Sequence, residues 1–213
     1  MRSQSELDII EQLAAFNSKE RFYLLGYILG NRSFSPSSEF LSQLEEALGI
    51  SFPDALFCAM DYHLDWIYAA LCKTYQPQSL YNNNHGEVKG QQEDVDFLIA
   101  FERNRHVHLI CIEAKGVTGW SNAQTISKAD RLRTIFGAIG KNWLNVTPYF
   151  VLMSPTRPQK LTIAPLLGWA TSPPSGYHWI ELSIPKTLQK VTRCDSLGQA
   201  NQDGGYWCVT KRQ

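Results

Sequence analysis

The stretch HLICIEAKG, residues 108–116, decides how the fold is interpreted. The four apolar residues 109–112 are typical of a buried strand, and they run directly into Glu113 and Lys115 before a glycine ends the run. Side chains alternate along a strand, so Glu113 and Lys115 are expected on the same face. The sequence therefore predicts a strand whose open end carries a carboxylate beside an ammonium.

A second strand-like run, VDFLIAFE at residues 95–102, comes just before this one. A short polar turn separates it from residues 106–115, which is the pattern of a β-hairpin. If Asn104 and Arg105 form a two-residue turn, paired residues have numbers that sum to 209. The register of the hairpin is thereby predicted residue by residue.

That register sets Asp96 directly opposite Glu113, on the face that also carries Lys115. A slip of one residue would turn Asp96 to the other face, and Asp94, two residues earlier, competes for the same role. Two carboxylates this close repel unless a cation lies between them, and Mg²⁺ or Mn²⁺ suits such hard oxygen ligands. The backbone carbonyl of Ala114 is a further candidate ligand. A nearby ammonium could orient a metal-bound water or neutralise developing charge.

Elements before the hairpin are predicted to be helical. Apolar spacing predicts helices over residues 5–16 and 20–29, and a third helix that opens at Ser35 and stops at Gly49. Residues 53–75, apolar on most faces, are interpreted as a longer buried helix. The first half of the chain is therefore expected to contain helices alone.

After the hairpin, helix-like and strand-like segments alternate along the sequence. A helix is predicted over residues 121–140, with Ser121 and Gln124 at capping-box spacing, followed by a buried strand at 148–154. A surface loop at 155–176 and two short strands, YHWIELSI and YWCVT, complete the chain. The predicted fold class is α/β, with a mixed central sheet flanked by helices. A helical extension, residues 1–52, would pack on a core of residues 53–213 as one globular unit.

Composition narrows the class of protein. With 20 basic and 20 acidic residues the formal net charge is zero, which argues against general coating by nucleic acid and leaves room for a local basic groove. Five scattered cysteines without a CxxC pair argue against a disulfide framework or a zinc site, and favour reduced thiols in the cytoplasm. The sequence begins without a secretory signal and has no long apolar run, so no membrane partner is expected.

The order of elements and motifs resembles the PD-(D/E)xK nuclease superfamily, which includes restriction endonucleases and Holliday-junction resolvases. The resemblance covers roughly residues 53–154: a helix, a strand with an aspartate, a turn, a strand ending in E-x-K, a helix and a strand. It implies a restriction-endonuclease-like fold in which Asp96 and Glu113 hold the metal, with Ala114 beside them, and Lys115 is the catalytic lysine. The proline of the family name is absent, since this chain has EDVD there.

The resemblance also implies site residues on the flanking helices. Many members carry an acid on the helix before the hairpin, and this chain offers Asp61 and Asp65, of which Asp65 is favoured as a metal ligand. Members with a glutamine or lysine on the following helix would place it at Gln124 or Lys128. Gln124, Lys128 and Arg131 could contact nucleic-acid phosphates along that helix, with a cap or a solvated helix face as the plain alternatives.

An E-x-K triplet is a weak motif by itself, because a chain of this length contains about one by accident. Glu87-Val88-Lys89 is a second copy, but it follows NNNH instead of an apolar strand and has no partner aspartate at hairpin distance. Context therefore favours the copy at residues 113–115.

The function implied is that of a Mg²⁺- or Mn²⁺-dependent nuclease acting on DNA, with RNA and a homodimer left open. One alternative is a catalytically inactive nucleic-acid-binding or assembly module of the same fold. Another is an interaction protein in which Glu113 and Lys115 form an ordinary ion pair at a solvated strand end.

Overall fold

The structure is a computed structural model that describes residues 9–30, 34–90, 93–116, 120–159, 161, 169–171, 176–185 and 187–211, apart from the side chain of Asn122. Its elements, in chain order, are α1 (Ile9–Phe16), α2 (Glu20–Tyr23) with a π-helical turn (Leu24–Ile28), α3 (Ser38–Leu48), β1 (Phe57–His63), α4 (Leu64–Tyr75), β2 (Asp94–Arg103), β3 (His106–Ala114), α5 (Asn122–Phe136), β4 (Val146–Ser154), β5 (His178–Glu181), β6 (Gln189–Cys194) and β7 (Tyr206–Lys211).

The central sheet is mixed and has the strand order β1-β2-β3-β4-β5. Strand β2 is antiparallel to both of its neighbours, β1 and β3, whereas β4 and β5 run parallel to β3. Strands β6 and β7 form a separate two-stranded ribbon. The predicted α/β class, with a mixed sheet flanked by helices, is confirmed.

Helices cover both faces of this sheet. On one face, Leu13 of α1, Ile67 of α4 and Leu132 of α5 pack with Leu109 of β3. On the other face, Leu44 of α3 packs with the residues of β3 that alternate with these. Helices α1 and α3 are thus part of the core, because each buries a leucine that solvent does not reach.

The β2–β3 hairpin has the register that the sequence predicts. Arg103 pairs with His106 next to the turn, and the ladder continues in the same register to its far end. Asn104 and Arg105 form the turn with φ of 54° and 62°. Positive φ at both central residues is the conformation that matches the twist of an antiparallel pair, so the turn itself fixes the register.

The turn supplies a first test of this geometry. Arg105→Gly is expected to raise the free energy of unfolding by about 0.5–1 kcal/mol, because glycine adopts φ above zero without the steric cost that arginine has there. Arg105→Ala removes the same side chain but keeps that cost, and should leave stability nearly unchanged. Urea denaturation of the two variants measures the difference. Equal stability of both variants would contradict the turn conformation.

The single long helix predicted over residues 53–75 is wrong. Residues 57–63 form strand β1, and the helix α4 begins at Leu64. Cys58 and Ala59 are both buried, one in the core of each sheet face, so this strand is apolar on both sides. A short run that is buried on both faces has no alternating pattern, and periodicity does not distinguish it from a buried helix.

Other predicted elements agree with the structure to within a few residues. Helix α3 is confirmed, with Ser37 accepting the cap hydrogen bond from Phe40 N (3.3 Å) and Gly49 ending the helix at φ 66°. Helix α5 stops at residue 136, and the predicted capping box is wrong because the side chain of Ser121 makes no cap hydrogen bond. Strand β6 was not predicted. Residues 5–8 of the first predicted helix, and 160, 162–168 and 172–175 of the predicted loop, lie outside the described residues.

The expectation of no membrane partner can be compared with the helices of the structure. None of the helices in the described part of the chain combines the length and the apolar character that crossing a bilayer requires.

Candidate active site at the end of strand β3

Glu113 lies near the carboxyl end of β3 on the face covered by α5. Lys128 of α5 donates a hydrogen bond to its Oε2, and Lys115 Nζ lies 3.3 Å from its Oε1. The three side chains are 11%, 14% and 22% exposed, respectively. Each oxygen of the largely buried Glu113 carboxylate therefore faces its own ammonium group.

Asp96 reaches the same strand end from β2. The β2–β3 ladder ends at the pair Phe97–Ile112, and one further step in that register sets Asp96 opposite Glu113. There the side chain of Asp96 continues the pairing, since its Oδ2 accepts a hydrogen bond from Ala114 N at 2.6 Å. This hydrogen bond fixes the Asp96 side chain against the peptide bond between Glu113 and Ala114.

Asp61 occupies an unexpected place. It lies on β1 and not on a helix, and the β1–β2 register on either side of it places Asp61 opposite Asp96. Its φ of 50° interrupts the regular ladder at this point, and its carboxylate pairs with Arg21 Nη1 at 2.5 Å. The interpretation of Asp61 as a helix acid is therefore wrong, because the residue lies on β1 and its carboxylate pairs with Arg21.

Asp65, the favoured helix acid, lies in the first turn of α4 and has other partners. Arg131 of α5 donates to its Oδ1, and the backbone N–H groups of Lys89 and Gly90 donate to its Oδ2 at 3.0 and 2.8 Å. No described contact joins Asp65 to Glu113. The guanidinium of Arg131 is 1% exposed, so it is bound within the protein and presents no surface to a phosphate.

Asp94, the competitor of Asp96, belongs to a separate cluster. Its carboxylate lies 2.9 Å from Lys19 Nζ and 2.5 Å from His63 Nδ1. His63 packs edge-on against Trp66, with ring centroids 4.1 Å apart. Asp94 thus ties the residue before α2 and the end of β1 to the start of β2, whereas Asp96 lies where the β2–β3 ladder ends.

The donor set can be compared with what a divalent metal needs. Asp96, Glu113 and the Ala114 carbonyl are hard oxygen donors of the kind that Mg²⁺ and Mn²⁺ prefer, and they come from adjacent strands. In the described part of the chain, no three side chains of the His, Cys, Asp and Glu types converge to hold a metal. The protein would therefore supply two carboxylates and one carbonyl, with waters completing the coordination.

Cys111 lies two residues before Glu113 on the same face of the sheet and could in principle bind a softer metal. Burial raises the pKa of this thiol to about 12, an effect that the positive charge of Lys128 partly opposes. Burial therefore disfavours the thiolate form of Cys111 at neutral pH while no metal is bound.

Two tryptophans stand beside the end of the parallel strands. The indole N–H groups of Trp120 and Trp179 both donate to Ser154 Oγ at 3.1 Å, and Ser154 in turn donates to the carbonyl of Thr156 at 2.8 Å. Ser154 ends β4, the strand that pairs with β3. Hydrogen bonds therefore hold both partly buried rings at the end of β4, the strand beside β3.

The structure brings together part of the predicted set. Asp96, Glu113, Ala114 and Lys115 meet at one strand end, whereas Asp65 and Arg131 pair with each other elsewhere, and Gln124 is exposed on α5. The predictions assigned Lys128 to phosphate contact or to a helix position of the family, and did not anticipate its bond to Glu113.

Comparison with known proteins yields no relative. No protein-family model, no curated protein and no solved structure matches this chain.

Proposed function

We propose that this protein is a metal-dependent nuclease with a restriction-endonuclease-like core, hydrolysing phosphodiester bonds of DNA. The observation that supports the proposal is the cluster at the end of β3, where Asp96 Oδ2 accepts a hydrogen bond from Ala114 N at 2.6 Å and Lys115 Nζ lies 3.3 Å from Glu113 Oε1. Two carboxylates from adjacent strands with an ammonium next to them are the groups that metal-assisted hydrolysis uses.

In the proposed site, Asp96, Glu113 and the Ala114 carbonyl would hold Mg²⁺ or Mn²⁺, which polarises a phosphodiester and lowers the pKa of bound water. Lys115 is the more exposed of the two lysines, so it is positioned to orient the attacking water and to neutralise charge on the phosphate. Lys128 donates a hydrogen bond to Glu113 Oε2 and so fixes the orientation of this carboxylate from the opposite side.

The test is DNA cleavage with a control that the chain itself supplies. Purified protein is incubated with supercoiled, linear and branched DNA in Mg²⁺ or Mn²⁺, beside Lys115→Ala and Lys89→Ala. Lys89 ends the second E-x-K triplet, which is in an exposed loop. We expect cleavage by the wild type and by Lys89→Ala, and a loss of about 10²-fold or more for Lys115→Ala. Cleavage that survives Lys115→Ala unchanged, or no cleavage of any DNA, rejects the proposal.

One observation favours a second candidate function, a nucleic-acid-binding or assembly module without catalysis. Two ammonium groups, those of Lys115 and Lys128, contact Glu113, so the formal charges of these three side chains and Asp96 sum to zero before any metal binds. A divalent cation would then add excess positive charge. Calorimetric titration with Mn²⁺ separates the two: binding that Asp96→Asn weakens supports the nuclease, and no binding at millimolar Mn²⁺ supports the module.

A further inference from the structure

The ribbon of β6 and β7 carries chemistry that the proposed nuclease site does not use. Its strands pair in an antiparallel register, with Thr192 opposite Cys208 and Cys194 opposite Tyr206. Cys194 and Cys208 are therefore diagonal neighbours, and alternation puts both on the same face of the ribbon. The sequence places them fourteen positions apart, and the register brings them together.

The two thiols interact directly with each other. Cys208 is near enough to Cys194 to hydrogen-bond with it, and this contact, after burial, raises the pKa of Cys194. Cys194 is 2% exposed, whereas Cys208 is half-buried. One thiol is thus open to a reagent and the other lies behind it.

We propose that Cys194 and Cys208 form an intramolecular disulfide when the protein meets a small-molecule disulfide such as oxidised glutathione. The Cys208 thiolate attacks one sulfur of the reagent, releasing one glutathione thiolate and leaving a mixed disulfide on Cys208. The Cys194 thiolate then attacks Cys208 and releases the second glutathione. Two protein thiols are oxidised, one reagent disulfide is reduced, and the two thiol protons are taken up by the departing thiolates.

The order of these steps follows from exposure. A thiolate must form and must be reached before it reacts, and Cys208 meets the second condition better than Cys194 does. Once the mixed disulfide exists, Cys194 has its target beside it, which makes the second step intramolecular. The buried position of Cys194 then protects it from the reagent without preventing closure of the bridge.

The ribbon can accommodate the small approach that a disulfide requires of diagonal positions. Its residues are exposed along most of both strands, including Val191 and Trp207 at 69% each, so no dense packing opposes an adjustment. The packing is tighter around Cys194, because a Cβ atom on Gly204 would lie only 2.0 Å from the Cys194 carbonyl oxygen. The backbone of Cys194 is thus held against Gly204, while the exposed residues of the ribbon can change their positions.

The other cysteines differ in burial or in lacking a neighbouring thiol, and they serve as internal references. Cys58 and Cys111 are buried in the central sheet, and burial raises the pKa of each to about 12, so neither should react. Cys72, on α4, is half-buried as Cys208 is, but no described cysteine lies beside it. It is therefore the matched control for exposure without a neighbouring thiol.

The test treats the full chain with excess oxidised glutathione, alkylates the remaining thiols under denaturing conditions and measures masses. Trypsin releases residues 194–211 as one peptide, because this segment contains no internal Lys or Arg. We expect this peptide to be lighter by two hydrogen atoms and to resist alkylation. Cys194→Ser should instead accumulate glutathione on Cys208, Cys208→Ser should leave the peptide unmodified, and Cys72→Ser should behave as the wild type.

Two results would overturn the proposal: glutathione that stays on Cys208 in the wild type, and a bridge that forms no faster in the folded chain than in urea. The comparison with urea-denatured wild type needs no variant to fold. Because the readout is mass and not DNA cleavage, the outcome is independent of the proposed nuclease function.

Discussion

Glu113→Gln is expected to lower metal-dependent DNA cleavage by about 10²–10³-fold. Glutamine keeps the shape of the side chain but lacks the negative charge that holds a divalent cation beside Asp96. Initial rates of supercoiled-plasmid nicking at fixed Mg²⁺ measure the change, and circular dichroism with a thermal melt checks that the variant is folded.

The matched control for this substitution is Glu87→Gln. Glu87 begins the second E-x-K triplet, in a loop without a partner aspartate, and its substitution should leave cleavage unchanged. Equal rates for Glu113→Gln and Glu87→Gln would mean that cleavage takes place elsewhere or comes from a contaminant. Loss of cleavage in both would point to a general effect on the protein.

Asp65→Ala should produce the largest loss of stability among the ion pairs. It leaves the Arg131 guanidinium, 1% exposed, as a buried charge without its carboxylate, and breaking a buried pair in this way costs about 3–5 kcal/mol. It also removes the acceptor for the backbone N–H groups of Lys89 and Gly90. Urea denaturation of the variant measures the change in the free energy of unfolding.

Asp130→Ala is the matched control on the same helix. Asp130 pairs with Arg133 at 2.9 Å, but their side chains are 54% and 35% exposed, so the loss should be below about 1 kcal/mol. A second variant, Asp65→Leu with Arg131→Met, removes both charges and should recover much of the stability. If Asp65→Ala and Asp130→Ala cost the same, the buried pair is not what joins α4 to α5.

The hairpin could be predicted from sequence because its information is local. The length of the turn at Asn104 and Arg105, between two apolar runs, is enough to set one register. That register in turn placed Asp96 opposite Glu113, which is why the centre of the candidate site was accessible without coordinates.

Contacts between residues that are far apart in the sequence could not be predicted in this way. Arg131 and Asp65 are 66 positions apart, and neither residue carries a local sign of the other. The strand β1 was missed because it is buried on both faces, and that error moved Asp61 onto a helix. One feature of the sequence did indicate acidic partners. Lys128 and Arg131 are three positions apart and so lie on the same face of α5. Two cations on a helix face that packs against a sheet need carboxylates opposite them.

That spacing has a mechanical consequence for the candidate site. Lys128 and Arg131 lie one turn apart on α5, and they anchor the same helix to Glu113 on the sheet and to Asp65 on α4. Rolling α5 to free Glu113 would also pull Arg131 out of its enclosed pair. A ligand that competes with Lys128 for Glu113 must therefore displace it by rotation of the lysine side chain, with α5 left in place.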